Sequence, residues 1–345
     1  MNPATWFAIL TGLLTSTIIV MSSHHWLLTW LALELSTMSI MPMIIKRHHP
    51  RATEAATKYF LVQAMAAALI LLAGSLNAWQ TGQWTITNPL SITAATALSL
   101  ALMLKLGTAP MHQWYTEVLQ GTTLHTALIL STWQKIAPLA LLYMTVHTIP
   151  TYLLLSLGLM SALIGGWGGL NQTQVRKIMA FSSIAHTGWL LTALSLNPSL
   201  ATLTFILYTM MTTATFMALN TATTNTIADL SITWSNSPTL MTTMMTSLMA
   251  LGGLPPLTGF TPKWLILKTL TTMNLTTIST LLVMASLPSL FFYIRMAYLT
   301  TLTVAPAPTN IKHKWRFNNN TTLTQTTLAT LSITMLPLTP LLYTT

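Results

Sequence analysis

The chain has 345 residues, of which 52% are hydrophobic and only 5% are charged, and its mean hydropathy is +0.62. Soluble domains carry about 25% charged residues, so this composition excludes an ordinary soluble protein and indicates an all-α integral membrane protein. The lack of cysteine excludes thiolate metal sites and iron–sulfur clusters, and the 14 Lys and Arg form no long basic run beside aromatics, so nucleic acid is not an expected partner.

Eleven segments are long and apolar enough to cross a membrane, because a helix needs roughly 20 residues to span about 30 Å of hydrocarbon. The longest polar stretches between them, about 223–238 and 303–321, are short enough to be loops. We therefore predict one polytopic membrane domain over residues 1–345. The predicted spans are about 3–22, 25–45, 56–78, 88–120, 123–146, 150–171, 175–196, 198–222, 239–271, 275–299 and 322–342.

The basic residues test this number of spans. Ten of the 14 Lys and Arg fall in loops and helix ends on the side of the N-terminus, and one, Lys268, falls on the opposite side. The other three fall inside spans. Such an asymmetry follows the positive-inside rule. It supports eleven spans, with the N-terminus inside and the C-terminus on the opposite side.

Four ionisable side chains lie inside predicted spans, and they are Glu34, Lys105, Lys135 and Lys263. Each costs about 2.5 kcal/mol or more at the bilayer centre. A static ion pair with Glu34 accounts for one lysine, and snorkelling to the interface suits lysines near span ends, whereas Lys105 and Lys135 lie in mid-span. Burial disfavours the charged form of acids and bases alike, so these groups are predicted to exchange protons as a coupled relay.

Two histidines are candidates for further relay members. His186 lies in the middle of the seventh span and is either a relay member or a hydrogen-bonded core histidine. His112 lies beside a helix break and has the same two interpretations. The histidine pairs at span ends have no acidic or cysteine companions, so no metal site is predicted.

The fourth and ninth spans are too long for one straight helix, and each contains residues that end helices. Proline lacks an amide proton and clashes with the preceding turn, and non-helical backbone at membrane depth is tolerated only inside protein or beside water. Each break is therefore predicted to mark a buried polar passage beside a lysine, although ordinary proline kinks are the alternative. The predicted breaks comprise Gly107 and Pro110 in the fourth span, and Gly253, Pro255 and Pro256 in the ninth.

The positions of the two breaks predict an internal repeat. Spans 1–5 and 6–10 form halves of about 1–147 and 148–300, and the broken span is the fourth in each. Because five is odd, the halves run in opposite directions across the membrane. Such inverted repeats with paired discontinuous helices are typical of transporters, and the last helix, about 322–342, follows them.

Three segments resemble a known family. They are His48–Phe60, Lys105–Gly107 with Ala109–Trp114, and Gly252–Phe260. They resemble the antiporter-like membrane subunits of respiratory complex I, which are related to cation/proton antiporters. The resemblance covers the whole chain. The animal mitochondrial members resemble their bacterial relatives without the first three helices, which agrees with eleven predicted spans.

The resemblance implies a core subunit in the membrane arm of mitochondrial NADH:ubiquinone oxidoreductase. The location is then the mitochondrial inner membrane, with the N-terminus on the matrix side and the C-terminus on the intermembrane-space side. NADH, FMN, iron–sulfur clusters and ubiquinone belong to other subunits, and this chain binds no cofactor. The expected partners are the other membrane-arm subunits, in an obligate hetero-oligomer, and membrane lipids. Cardiolipin is a candidate at Lys312–Arg316, where an orientation signal is the alternative.

The resemblance also implies an order within the relay. Glu34 couples to the neighbouring unit, Lys105 is the central switch partner, Lys135 is the connecting relay, and Lys263 is the gate toward one side. Two other functions remain open at this point. A stand-alone cation/proton antiporter uses the same buried groups, and a purely structural assembly subunit explains the helices but leaves the buried charges unexplained.

Overall fold

The computed structural model describes residues 3–45, 49–86, 90–233, 237–255, 257–302 and 323–339. Within these ranges all regular elements are helices. The β-type backbone pairing in the same ranges consists of two isolated bridges. The predicted all-α class is confirmed. Pro256, the basic segment 312–316 and both ends of the predicted last helix lie outside the described residues.

The first of two compact units comprises Met1–Leu157. In it α3 packs against α2, α4 and α5, while α1 packs against α2 and α7. The long helix α3 therefore lies at the centre of this unit. The helices are α1 (Pro3–Ser22), α2 (Trp26–Ile45), α3 (Pro50–Thr81), α4 (Ile92–Leu106), α5 (Gln113–Gly121), α6 (Leu124–Ser131) and α7 (Ile136–Thr145), with a 3-10 turn at Trp133–Lys135.

The second compact unit comprises Gly158–Thr345. Its central helix is α10, which packs against α9, α12, α13 and α15, while α14 packs against α11 and α12. The helices are α8 (Thr151–Gly169), which begins before the unit boundary, α9 (Val175–Leu196), α10 (Pro198–Ala222), α11 (Ile227–Thr233), α12 (Pro238–Gly252), α13 (Phe260–Thr272), α14 (Thr276–Leu302) and α15 (Leu323–Thr334), with a 3-10 turn at Leu336–Leu338.

Eight helical stretches within the described residues are long and apolar enough to cross a membrane. They coincide with eight of the eleven predicted spans. The other three predicted spans are the two that contain breaks and the last one, which is described only in part. In place of the two broken spans the structure has the pairs α4 with α5 and α12 with α13. Whether each pair crosses the membrane as one span stays a prediction.

Most serine and threonine hydroxyls within the described helices donate a hydrogen bond to a backbone carbonyl of their own helix. The hydroxyl of Thr192 donates to the carbonyl of Trp189 at 2.8 Å, and that of Thr204 donates to the carbonyl of Ala201 at 2.8 Å. Bonds of this kind return the hydroxyl proton to a carbonyl three or four residues earlier in the same helix. They explain how a chain rich in threonine can place helices in an apolar surrounding.

The helix α4 ends at a glycine in the left-handed conformation. Gly107 has φ 69° and ψ 37°, and its amide donates to the carbonyl of Leu104. The next amide, of Thr108, donates to the carbonyl of Met103 at 3.1 Å. These two bonds form a Schellman motif, which satisfies carbonyls that the end of a helix leaves without intrahelical partners.

The helix α12 ends in the same way. Gly253 has φ 78° and ψ 39°, and its amide donates to the carbonyl of Ala250. The amide of Leu254 donates to the carbonyl of Met249 at 3.4 Å. The two predicted breaks therefore begin with the same hydrogen-bonding pattern, one in each unit.

The two units also share a pattern in their loops. An antiparallel bridge between His25 and Thr85 joins the loop after α1 to the segment after α3. A bridge between Gln174 and Thr226 joins the loop after α8 to the segment after α10. Each bridge is flanked by two backbone hydrogen bonds of 3.0–3.1 Å. In both units the bridge thus ties the loop after the first long helix to the segment after the third.

Replacement of Gly107 by Ala is expected to destabilise the chain more than replacement of Gly82 by Ala. Both glycines have positive φ, at 69° and 74°, where another residue costs about 1–2 kcal/mol. A Cβ atom at Gly107 would lie 3.0 Å from the Cβ of Tyr115, whereas nothing lies within 4 Å of one at Gly82. The measurement is the temperature at which the full chain in native membranes loses protease resistance. Equal losses in the two variants would contradict the packing role of Gly107.

Candidate functional site

A cavity in the first unit lies between two buried lysines. It has about 20 Å³ of space for water, which is enough for one molecule. A water molecule there could connect polar groups that are too far apart for a direct hydrogen bond. Its polar lining residues are Ser36, Thr37, Tyr59, Gln63, Lys105, Tyr115, Gln134 and Lys135.

Lys105 lies in the last turn of α4 and is 7% exposed. Its ammonium forms no hydrogen bond with any described residue, but the carboxyl group of Glu34 interacts with it electrostatically. Glu34 is half-buried on α2, and its Oε2 atom is likewise without a hydrogen bond among the described residues. The structure therefore brings Glu34 and Lys105 together as an electrostatic pair with no direct hydrogen bond.

Lys135 is the last residue of the 3-10 turn between α6 and α7, and it is 3% exposed. Its Nζ atom lies 5.3 Å from the centre of the Tyr115 ring, within the range of a cation–π interaction. The turn was not predicted from the sequence. Its signal was Pro138, because proline clashes with the carbonyl four residues earlier, at Gln134, and so disfavours a regular helix there.

A cavity in the second unit lies beside the third lysine, Lys263, which is half-buried. It also has about 20 Å³ of space for water, and His186, Tyr208 and Lys263 are among its lining residues. The ammonium of Lys263, on α13, donates to the carbonyl of Gly252 at 2.8 Å. That carbonyl belongs to the end of α12, where the helix dipole favours a cation. Lys263 thus joins the two helices that flank the break.

The structure separates the two candidate histidines. His186 lines the cavity of Lys263, and its Nε2 atom lies 3.4 Å from the hydroxyl of Tyr293. His112 precedes α5, with its Nδ1 atom 3.1 Å from the carbonyl of Pro110, and it is not among the residues that line the cavity beside Lys105. His186 therefore lies at the cavity of Lys263, and His112 lies beside Pro110 and outside the lining of the first cavity.

The residues predicted to break the helices differ in whether they adjoin the cavities. Gly107 contacts Tyr115, which lines the first cavity, and Gly253 contacts Lys263, which lines the second. Pro110 and Pro255 are exposed on the isolated chain. The glycines, and not the two described prolines, therefore adjoin the polar cavities.

Several tyrosines of the two cavities were not identified from the sequence. Tyr59 and Tyr115 line the first cavity, and Tyr208 lines the second. A tyrosine with the polar end of its ring buried needs a hydrogen-bonding partner, so a Tyr within an apolar segment near a buried lysine was the available signal. Their convergence depends on packing between helices, which periodicity does not report.

An ionic cluster lies apart from these cavities. Lys58 on α3 is 2.5 Å from a carboxylate oxygen of Glu54 and 2.5 Å from one of Glu117 on α5. All three side chains are substantially exposed, so the cluster contributes modestly to stability. It connects α5 to the start of α3.

Two family models match nearly the whole chain. The model described as "NADH:quinone oxidoreductase/Mrp antiporter, TM" matches residues 23–289. The model described as "NADH dehydrogenase subunit 2 C-terminus" matches residues 290–343. The first covers both cavities, and the second covers Tyr293 and α15.

Solved structures with the same fold are similar to the chain at low sequence identity. A chain of respiratory complex I from Thermus thermophilus is 24% identical, with a TM-score of 0.82 over 98% of this chain and 80% of that one. A chain of the Mrp complex from Dietzia is 14% identical, with a TM-score of 0.83 over 97% of this chain and 75% of that one. These likenesses show an antiporter-like fold.

Sequence relatives are closer. NADH-ubiquinone oxidoreductase chain 2 of Sylvisorex ollula is 49% identical over 345 residues, which are 100% of this chain and 99% of that protein. The protein of the same name from Aquarana catesbeiana is 50% identical over 342 residues, with 99% of each chain covered. With this identity over its whole length, the chain belongs to the NADH-ubiquinone oxidoreductase chain 2 family.

Proposed function

We propose that the chain is a membrane-arm subunit of mitochondrial NADH:ubiquinone oxidoreductase and that its buried Glu and Lys side chains move protons across the inner membrane. The observation that carries this proposal is the cavity lined by both Lys105 and Lys135, with Glu34 paired to Lys105. Electron transfer from NADH to ubiquinone takes place in other subunits, which also hold the cofactors. The chain contributes the proton path and no redox centre.

The first unit can pass a proton between its two lysines. The carboxylate of Glu34 stabilises the ammonium form of Lys105. When the negative charge of Glu34 is neutralised or drawn to a neighbouring subunit, Lys105 releases a proton more readily. The proton moves from Lys105 Nζ through water in the cavity to Lys135 Nζ, where Tyr115 stabilises the new ammonium through its ring. Two ammonium groups at one small cavity repel each other, so occupancy of one lysine favours release from the other.

The order of the whole path is the order that the family resemblance implies, namely Glu34, Lys105, Lys135 and Lys263. His186 is the further member that we assign, because it shares a cavity with Lys263. His112 is not assigned to proton transfer. Its hydrogen-bonding distance to the carbonyl of Pro110 supports a role in the shape of the break.

The same proposal includes the arrangement in the membrane. Eleven spans, with the fourth and ninth discontinuous, place the N-terminus in the matrix and the C-terminus in the intermembrane space. The halves of about 1–147 and 148–300 are inverted repeats, followed by a last helix of about 322–342. The matching glycine ends of α4 and α12 and the matching loop bridges support this repeat.

The partners follow from membership of a complex. The chain assembles with the other membrane-arm subunits as an obligate hetero-oligomer, and membrane lipids, with cardiolipin as one candidate, cover its apolar outer surface. A stand-alone cation/proton antiporter is the second candidate, since the fold is shared with a chain of the Mrp complex. The match of residues 290–343 to the model of an NADH dehydrogenase subunit favours the complex. Purification from native membranes separates the two, because migration as a lone protein contradicts the complex.

Replacement of Lys105 by Met is expected to lower NADH-driven proton pumping and ubiquinone reduction together, by several-fold, while the complex still assembles. Methionine is an unbranched side chain of similar length to lysine, but it has no ionisable group. The proton transfer between Lys105 and Lys135 is therefore lost. Both rates are measured in inner-membrane vesicles and normalised to assembled complex on native gels. Lys268→Met is the matched control, because Lys268 is exposed and lies outside both cavities. Normal pumping by the assembled Lys105→Met complex would remove Lys105 from the path.

Replacement of Glu34 by Gln is expected to cause a smaller loss of pumping and turnover than Lys105→Met. Glutamine keeps the size and the hydrogen-bonding capacity of the side chain but loses the charge that stabilises the Lys105 ammonium. Lys105 can then still exchange protons, but a negative charge at position 34 no longer stabilises its ammonium form. The same vesicle assay checks this, and a rate equal to the wild type would exclude Glu34 from the relay.

A further inference from the structure

The break between α12 and α13 is joined to α15 by a side-chain hydrogen bond. The hydroxyl of Thr258, in the break, donates to the carbonyl of Ser332, in the last turn of α15, at 2.5 Å. Thr258 is 0% exposed and Ser332 is 1% exposed. The last carbonyls of a helix lack amide partners within that helix, and an unsatisfied carbonyl is costly in an apolar surrounding. A residue of the break therefore satisfies a carbonyl at the end of α15.

The break is also packed against the end of α12. A Cβ atom at Gly259 would lie 1.8 Å from the carbonyl oxygen of Ala250, a distance that no side chain can adopt. The backbone at Gly259 thus lies directly on α12, in a close approach that only glycine permits. Because Thr258 and Gly259 are adjacent, the break is held from two sides, by α12 and by α15.

The same threonine supports the first turn of the helix that carries Lys263. The carbonyl of Thr258 accepts hydrogen bonds from the hydroxyl of Thr261 at 2.8 Å and from its amide at 3.3 Å. Lys263 follows two residues later on α13, and its ammonium donates to the carbonyl of Gly252 at 2.8 Å. Both Gly259 and Lys263 line the second cavity. A displacement of Thr258 therefore moves the start of α13 relative to the carbonyl that Lys263 binds.

The helix α15 is anchored at its other end as well. Nε2 of Gln325 donates to the hydroxyl of Thr221, in the last turn of α10, at 3.2 Å. Gln325 is 4% exposed, so this hydrogen bond lies inside the second unit. The hydroxyl of Thr221 donates in turn to the carbonyl of Ala218 at 2.9 Å. With α10 at one end and the break at the other, α15 has a fixed position from which it holds Thr258.

We propose that Thr258 is a positioning residue for Lys263. Its hydrogen bond to α15 holds the break, and the break places the Lys263 ammonium between the carbonyl of Gly252 and the cavity. Thr258 itself carries no proton of the path, because its hydroxyl hydrogen is donated to Ser332. The helix α15 thereby sets the geometry of a proton site to which its own residues contribute no ionisable group. This inference rests on the proposed function, which includes Lys263 in the proton path.

The test is Thr258→Val in the assembled complex. Valine has the shape of threonine but no donor, so the carbonyl of Ser332 loses its partner and the break is released from α15. We expect NADH-driven pumping and ubiquinone reduction per assembled complex to fall several-fold, and amide hydrogen exchange of residues 257–263 to rise. A role in stability alone would lower the amount of assembled complex and leave turnover per complex unchanged.

Two matched variants control for the loss of a methyl group and of a hydroxyl elsewhere. Thr258→Ser keeps the donor and is expected to turn over close to the wild-type rate. Thr271→Val removes an exposed hydroxyl on the same helix as Lys263, which donates to the carbonyl of Lys268, and is also expected to be close to wild type. Wild-type turnover in assembled Thr258→Val, or equal impairment of Thr258→Ser, would overturn the inference.

A second variant decides the outcome if Thr258→Val does not assemble. Gln325→Leu fills a similar space but releases α15 from Thr221, so a smaller fall in turnover and the same rise in exchange are expected. Wild-type turnover and exchange in this assembled variant would overturn the inference. Lys105→Met, assayed in parallel, distinguishes the two failures. If it is impaired while the variants at positions 258 and 325 are normal, only the inference is wrong; if it is normal, the proposed function is wrong.

Discussion

The end of α12 is stabilised by one hydrogen bond between a charged side chain, the ammonium of Lys263, and a backbone carbonyl of the helix. The last carbonyls of a helix have no intrahelical partners, and in an apolar surrounding each unsatisfied one costs several kcal/mol. The amides of Gly253 and Leu254 satisfy two of them, and the ammonium of Lys263 satisfies that of Gly252. Because an ammonium is a stronger donor than a neutral amine, loss of a proton from Lys263 weakens the end of the helix. In the proposed relay, proton transfer and backbone structure are thereby linked at Lys263.

The first unit reaches a similar backbone with different side chains. Gly107 packs against Tyr115, whereas Gly253 packs against Lys263, so the residue that faces the glycine is aromatic in one unit and cationic in the other. Lys105 instead precedes its glycine and interacts with Glu34. The Lys105 ammonium is therefore opposed by a carboxylate, whereas the Lys263 ammonium donates to a neutral carbonyl. A common backbone arrangement thus adjoins lysines with different kinds of partner.

The sequence was sufficient for features that are local. Apolar runs predicted eight stretches that the structure has as long helices, and α4 and α12 end at the predicted glycines Gly107 and Gly253, because helix length and termination depend on neighbouring residues. The sequence could not distinguish His186 from His112, since each lies in an apolar segment near a polar residue. The packing of α9 against α13 is what places His186 beside Lys263. The tyrosines of the cavities were missed for the same reason.

The 3-10 turn at Lys135 shows how a local signal acquires a functional meaning only in three dimensions. Pro138 disfavours a regular helix at Gln134, which is a local effect. Both Gln134 and Lys135 line the cavity, and the ammonium of Lys135 faces the ring of Tyr115 from α5. Pro138 therefore bears on the proposed proton path only indirectly, because it lines the same cavity and accompanies the turn that ends at Lys135.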